Sequence, residues 1–561
     1  MRRIAAIIQL LLCATLFAGA QRVVERSYVA TDRSVYVAGD RVWCSAFCLD
    51  AGGGHLSSVS SLLYLELHGD GGFVLGAKVA LDGGRGAGSF ILPATLPTGN
   101  YKLIAYTAQN RAEEGYRYDN GTARILSVFN PFTKERNGVA RLSDEEYASL
   151  EASATAASAD GIEIFLPEEG FAAQIARLAL KASVNATVAV SVYRDGTFAP
   201  VGGAAISDFV KTASKVGEVR FSDDVLPEYE GEIIHGRIVG TDPARLAEWG
   251  GKTAFISSPG GYGDIYSARV GDDAQVRFFT GNIYGTRELV CDFMDADTTL
   301  AGHIELASPF VMPSVGAAAP LAINAAMASD VEDMAASVQI ERHFHADTLF
   351  DYLPLRDNLL FGENYIDYRL DDYTRFPLMK EVFVEFLREI RPLRGGKEFQ
   401  MLIYEDRGAT TLSKGPVLVL IDGVPVFDHS KIYNYDPLLV EYIRIFNAPH
   451  RIGNVVFDGV ADFVTYKRNL PAMKFGPNAR VVQYQGVSLP AAFTGRQLPD
   501  KAAYPDFRRT AYWHPIVNLR AGESEGIEVR LPELPGRYRV VVEGLDENSR
   551  PVYATGAFYV R

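Results

Sequence analysis

Cysteine is scarce: the 561 residues hold four, Cys13, Cys44, Cys48 and Cys291. The first falls inside an N-terminal apolar run. Removing it leaves an odd number, so at least one thiol per chain stays unpaired unless chains are cross-linked. Cys44 and Cys48 lie in Arg41-Val42-Trp43-Cys44-Ser45-Ala46-Phe47-Cys48, which reads as a strand. Both then point to one face about 13 Å apart at ~3.3 Å per residue. That is too far for a mutual disulfide, and the spacing misses the C-x-x-C of metal and redox sites. Small buried hydrophobes are the expectation.

Positive charge is also short, with a formal net charge of −14. A field of that sign argues against nucleic-acid partners and against a polybasic membrane patch. After the N-terminus there is no second long apolar run to cross a membrane, and no serial alternation of the kind a membrane barrel requires. Linear catalytic motifs are missing too: no H-E-x-x-H, no G-x-S-x-G and no EF-hand loop occurs. Gly250-Gly251-Lys252-Thr253 mimics the end of a phosphate loop. Leu246 stands where the first glycine is required, and a strand is expected to follow in place of a helix. No catalytic residue and no cofactor is therefore assigned, and the chain reads as a non-enzyme.

What is there begins at the N-terminus. Arg2 and Arg3 precede an apolar stretch from Ile4 to Phe17, and Ala18-Gly19-Ala20 follows before Gln21. This order is that of a cleaved secretory signal peptide, so residues 1–20 are read as a leader and the protein as exported. With 48% hydrophobic and 22% charged residues the remainder has an ordinary globular composition. Its length suggests about three to five domains.

Residues 21–130 read as short strands with Gly/Asp turns, hence a β-sandwich. Residues 131–160 are polar and alanine-rich, a linker with a short helix candidate at Leu142–Tyr147. Residues 161–312 return to strands, as one or two further sandwich modules, and 313–369 form a connector. From 370 to 475 the pattern becomes α+β. Leu378, Val382 and Phe386 share one face of a helix begun by Pro377. Val417-Leu418-Val419-Leu420-Ile421 is apolar on both faces, and Asp422-Gly423 is a tight turn. A C-terminal sandwich at 476–561 has Tyr512, Trp513 and Tyr538 as core rings.

Three resemblances follow from these residues. Thr31-Asp32-Arg33-Ser34-Val35-Tyr36-Val37-Ala38-Gly39-Asp40 and Leu96-Pro97-Thr98-Gly99-Asn100-Tyr101 resemble the entry hairpin and closing strand of the macroglobulin-like β-sandwich, with Tyr36 and Tyr101 as ring anchors. The pair Tyr512-Trp513-His514-Pro515 and Leu534-Pro535-Gly536-Arg537-Tyr538 resembles the same family. The family's thioester sequence Cys-Gly-Glu-Gln is absent, which argues against covalent trapping of proteases. Pro416–Val426, Tyr435–Ile445 and Phe457–Tyr466 look like the plug domain of TonB-dependent outer-membrane receptors, although Asp462 replaces an apolar residue and no receptor barrel is expected from the residues that follow. The combination resembles envelope proteins of Gram-negative bacteria.

The fold implied is mainly β, with tandem macroglobulin/Ig-like β-sandwiches and one α+β plug-like domain. The function implied is a non-catalytic interaction or scaffold protein in the periplasm, at the outer membrane or on the cell surface. It would dock on an outer-membrane or other envelope protein complex, with no nucleic acid and no transmembrane segment after signal cleavage. The alternatives are a carbohydrate-active or other enzyme without a linear motif, and a protease-inhibitor-like macroglobulin relative lacking the thioester. Asp422, Gly423, Val424, Pro425 and Phe427 are the expected partner-binding surface. Glu341, His343, His345 and Asp347 alternate and would share one face of a strand, so His343 and His345 are weak zinc candidates beside the simpler reading of a solvated face. Asp264 and Asp272-Asp273 read as turn residues.

Overall fold

A computed structural model describes residues 22–119, 121–147, 161–198, 205–260, 264–294, 299–343, 350–355, 360–404, 410–495 and 506–561. The signal-peptide reading lies outside them. The chain is mostly β, with 46% strand and 12% helix, and divides into two units. Among the described residues no helix is long and apolar enough to cross a membrane.

The first unit takes residues 1–229, 312–353 and 488–561. Its N-terminal sandwich runs Glu25–Thr31, Arg41–Asp50, Arg85–Ile91, Gly72–Asp82, Leu62–Gly69, Thr98–Tyr106, Arg124–Phe129 and Val35–Val37 in hydrogen-bonded order. The long strand Gly72–Asp82 carries one sheet into the other: it pairs with Leu62–Gly69 along its length and with Arg85–Ile91 only at its end. Alternation explains the core. Leu63, Leu65 and Leu67 point into it with Val42, Cys44, Tyr36 and Tyr101, while Tyr64, Glu66 and His68 occupy the opposite face.

A second sandwich in this unit joins strands far apart in sequence. Ala186–Arg194 lies between Thr510–Leu519 and Gly536–Asp546, and Ile175–Ala182 pairs with Ser524–Arg530. Residues from about 161 to 194 thus complete the C-terminal sandwich, where a serial order had been expected. Val188, Val190 and Val192 meet Tyr538, Val540 and Val542 in its core. Trp513 is buried, with Tyr28, Trp43 and Phe47 of the first sandwich in the same cluster.

Two further departures concern helices. The expected connector contains a helix, Ala328–His343, whose Met334 and Val338 pack with Val37. Good helix formers such as Ala, Met and Glu outweigh the strand-like alternation at its end. In the helix Met379–Glu385 the buried residues are Met379, Val382 and Phe383. Leu378 is exposed, so the inward face is rotated from the Leu378, Val382, Phe386 stripe expected.

The second unit takes residues 230–311 and 354–487. One sheet orders Gln275–Phe279, Ile233–Val239, His303–Leu306; its companion orders Ile265–Arg269, Thr253–Ser257, Thr286–Phe293, Arg480–Gln485. They enclose Trp249, Ile256, Phe278, Phe293 and Tyr484. The α+β part orders Ile366–Arg369, Val440–Phe446, Gly459–Thr465, Val417–Ile421, Val424–Pro425. Val417–Ile421 runs parallel to Gly459–Thr465 and is buried on both faces, as its uninterrupted apolar run requires. Val417, Val419 and Ile421 enter one cluster; Leu418 and Leu420 enter another with Phe255, Phe361 and Phe457.

Candidate interaction groove

The surface expected to meet a partner is closed. Asp422 and Gly423 have φ of 49° and 82° and join antiparallel strands, so they form the two-residue turn that requires left-handed backbone at both positions. Asp422 is only 2% exposed. Its carboxylate accepts hydrogen bonds from Thr465 N–H (2.7 Å), Thr465 Oγ1 (2.8 Å) and Leu470 N–H (2.8 Å). Gly423, Val424 and Pro425 are buried, and half-buried Phe427 lies 4.9 Å from the Phe255 ring. The segment at 465–470 wraps the turn because it supplies the donors that a buried carboxylate needs. These residues therefore form part of the interior and offer no open docking face.

The weak zinc candidates fare similarly. His343 ends a helix and is exposed, so the shared strand face is not formed there. His345 and Asp347 lie outside the described residues. Among the described residues no group of His, Cys, Asp and Glu could hold a metal ion.

Nucleophile chemistry finds little support in the thiols. Cys44, Cys48 and Cys291 are free and buried. Burial pushes Cys44 and Cys291 up to about 12, so both are protonated thiols at neutral pH. After Lys252 the chain enters the strand Thr253–Ser257, not the helix that a phosphate loop would need.

Buried polar groups in the first unit are tied into the architecture. The Asp32 carboxylate accepts from Tyr36 Oη (2.9 Å), Trp43 N–H (3.0 Å), Arg33 (3.1 Å) and Thr510 Oγ1 (2.6 Å). Arg33 also pairs with Asp40 at 2.6 Å. This network fastens the Thr31–Asp40 hairpin to the strand starting at Thr510. Glu66 accepts from His68 (2.8 Å), Tyr106 Oη (2.5 Å) and Met312 N–H (3.1 Å). Both carboxylates are fully buried, so both serve packing.

An open site lies in the second unit. A groove of about 540 Å³ runs beside the turn that joins Ile265–Arg269 to Gln275–Phe279. Each strand lies at the end of its sheet. In Gln275–Phe279, Val276 and Phe278 go to the core and Gln275, Arg277 and Phe279 face out. Phe279 is 64% exposed. In Ile265–Arg269, Tyr266 and Ala268 pack on the core, which sends Ser267 and Arg269 to the outer side. Ser267 Oγ donates to Ile452 O (2.8 Å), and Asn454 of the neighbouring hairpin completes the wall.

Ladder phase fixes what the edges present. Ile238 N–H donates to Ala274 O (3.0 Å) and Thr280 N–H to Glu232 O (3.0 Å). In an antiparallel pair the bonded residues alternate. The N–H and C=O of Arg277 and Phe279 therefore turn toward the free edge. Ser258 N–H to Asp264 O (3.0 Å) sets the same phase in the other strand, where the hairpin carrying Ile452 and Gly453 packs over the outward Ser267 backbone; the open edge is that of Gln275–Phe279. Among the described residues neither Arg269 nor Arg277 has a carboxylate in ion-pair range. The adjacent pair Phe278-Phe279 was the available sequence signal, since a strand with a buried Phe278 must expose Phe279.

No family model matches the chain, and no curated protein matches it. Solved structures give distant likenesses. The native Escherichia coli alpha-2-macroglobulin is 9% identical, with 97% of this chain and 40% of that one covered and a TM-score of 0.24. Salmonella alpha-2-macroglobulin reacted with methylamine gives the same identity, coverage and TM-score. A Yersinia pseudotuberculosis adhesin is 9% identical over 52% of this chain and 61% of its own, with a TM-score of 0.15. The chain spans 24% to 53% of the macroglobulin chains it matches. At these scores the likenesses carry no functional argument.

Proposed function

We propose that this chain is a non-catalytic interaction protein, exported to the bacterial envelope, that docks on an envelope protein complex through the groove between Ile265–Arg269 and Gln275–Phe279. The observation that carries the reading is the free edge of Gln275–Phe279 beside an exposed phenylalanine and two arginines that, among the described residues, have no carboxylate in ion-pair range. Edge strands of this kind are templates for another chain. The export step rests on the Arg2–Ala20 pattern, and the envelope setting on the macroglobulin-like and plug-like sequence patterns.

The test is crosslinking in intact envelopes followed by purification of the protein with its neighbours. Partners captured by the parent chain should be lost from a Phe279→Asp variant that folds normally. Identical capture by both proteins would remove the groove, and with it this reading, from consideration.

A further inference from the structure

We infer that the occupant of the groove is an extended acidic peptide segment of the partner, added as a strand to the free edge of Gln275–Phe279. This rests on the proposed interaction function and names the chemistry of its partner. Three observations converge on it. First, the unused backbone groups of Arg277 and Phe279 point to the open edge, and only an extended chain can satisfy them as a ladder. Second, Arg269 and Arg277 line the groove against a single carboxylate, Asp273, whose Oδ1 accepts from Gln275 N–H (3.1 Å); a guanidinium without a carboxylate in ion-pair range is a bidentate receptor for one. They stand out in a chain of net charge −14. Third, Phe279 is 64% exposed, two residues from Arg277 on the same side of its strand. An incoming strand that alternates acidic and apolar side chains on that side would place a carboxylate on Arg277 and an apolar group on the ring.

Self-pairing is disfavoured by the same residues. A second copy docked edge to edge with Arg277 opposite Arg277 would bring the arginines of the two chains together, and like charges facing across strands destabilise that register. A partner of the opposite charge does not meet this cost.

The probe is a labelled eight-residue peptide, Thr-Glu-Thr-Val repeated twice, whose glutamates and valines share one face of the strand in alternation, titrated against the full chain by fluorescence anisotropy. Its controls are the lysine–valine counterpart, the fully N-methylated glutamate peptide and polygalacturonate. Binding is expected for the glutamate peptide alone. The double variant Arg269→Glu with Arg277→Glu should weaken it about tenfold or more and should bind the lysine peptide instead. Phe279→Ser should weaken it without changing the preference for charge. Equal binding of both peptides, undiminished binding after N-methylation, preference for polygalacturonate, or no peptide binding at all would each overturn the inference. The failures are separable. If the peptides fail while Phe279→Asp still loses its envelope partner, the acidic-strand inference falls and the interaction reading stands; if that variant keeps its partner, the reading itself falls.

Discussion

The second unit contains two tight connections that differ in fate. At Asp422–Gly423 a hairpin turn is drawn inside, with its carboxylate holding three hydrogen bonds. At Gly271–Ala274 the turn, closed by Gly271 N–H to Gln275 O (2.8 Å), leads into an edge that leaves Arg277 and Phe279 outside. Apolar character does not separate them, since Val424 and Pro425 flank the first and Phe279 the second. What separates them is where the polar groups find partners. A turn whose carboxylate and strand amides are satisfied internally has nothing left to offer. An edge whose backbone groups and guanidinium groups are unused remains open to another strand.

The widest separation between the two regions should appear on placing a charge in each. Leu420 is completely buried, in the strand that feeds the closed turn. Leu420→Asp puts an unpaired carboxylate among Phe255, Phe446 and Phe457, at a cost above about 4 kcal/mol. The expected result is loss of the cooperative urea transition or of expression as folded protein. A variant as stable as the parent would remove Val417–Ile421 from the interior.

Asp422→Ala should come next. It strands the Thr465 and Leu470 donors and places alanine at a φ of 49°, where a Cβ is disfavoured. A loss of about 3 kcal/mol is expected, read as a lower urea midpoint with unchanged slope. Asn at the same position keeps the turn and an acceptor and should recover part of that loss.

A smaller effect depends on pH. Burial lowers the His429 imidazole to about 4, against the upward pull of Asp428 and Glu398. The neutral ring accepts Phe399 N–H through Nδ1 at 3.1 Å. A depressed histidine pKa means that the unfolded chain takes up the proton first. Stability is therefore full above the unfolded value of about 6.5 and falls as pH drops from there toward 4. His429→Asn keeps an acceptor and cannot titrate, so the difference between its urea midpoints at pH 7 and pH 5 should shrink relative to the parent. An undiminished difference would assign the fall to other groups.

Local chemistry makes much of the architecture legible in the sequence. Asp422-Gly423 declared its turn, and the unbroken Val417–Ile421 run declared a strand covered on both faces. Tyr36, Tyr101 and Tyr538 lie in cores as their flanking turns implied. Cys44 and Cys48 are buried in one strand as their spacing required. Pairing across long separations was not legible. Nothing in Thr187-Val188-Ala189-Val190 says that its neighbours are Thr510–Leu519 and Gly536–Asp546, because β-branched residues suit any half-buried ladder. Burial of the Asp422–Phe427 surface was equally hidden, since the donors that close it come from Thr465 and Leu470, some forty residues away. The groove was missed because its signal is relational: the Gln275–Phe279 edge becomes a site only when the fold sets Arg269 and Asn454 beside it.

The smallest effect on stability should come from the open edge, and that makes it the sharpest test of the comparison. Phe279 and Arg277 project away from the core, and surface substitutions without buried partners usually change stability by no more than about 0.5 kcal/mol. Phe279→Ser and Arg277→Glu should therefore unfold at the same urea concentration as the parent. If the edge is a binding surface, these same variants must lose partner capture while Asp422→Asn, closer to the parent in binding, loses stability. The two regions then show opposite patterns: stability without binding at one, binding without stability at the other. A Phe279→Ser variant that unfolds several kcal/mol more easily would mean that the phenylalanine is a structural support, and the distinction between a closed turn and an open edge would fail at its open end.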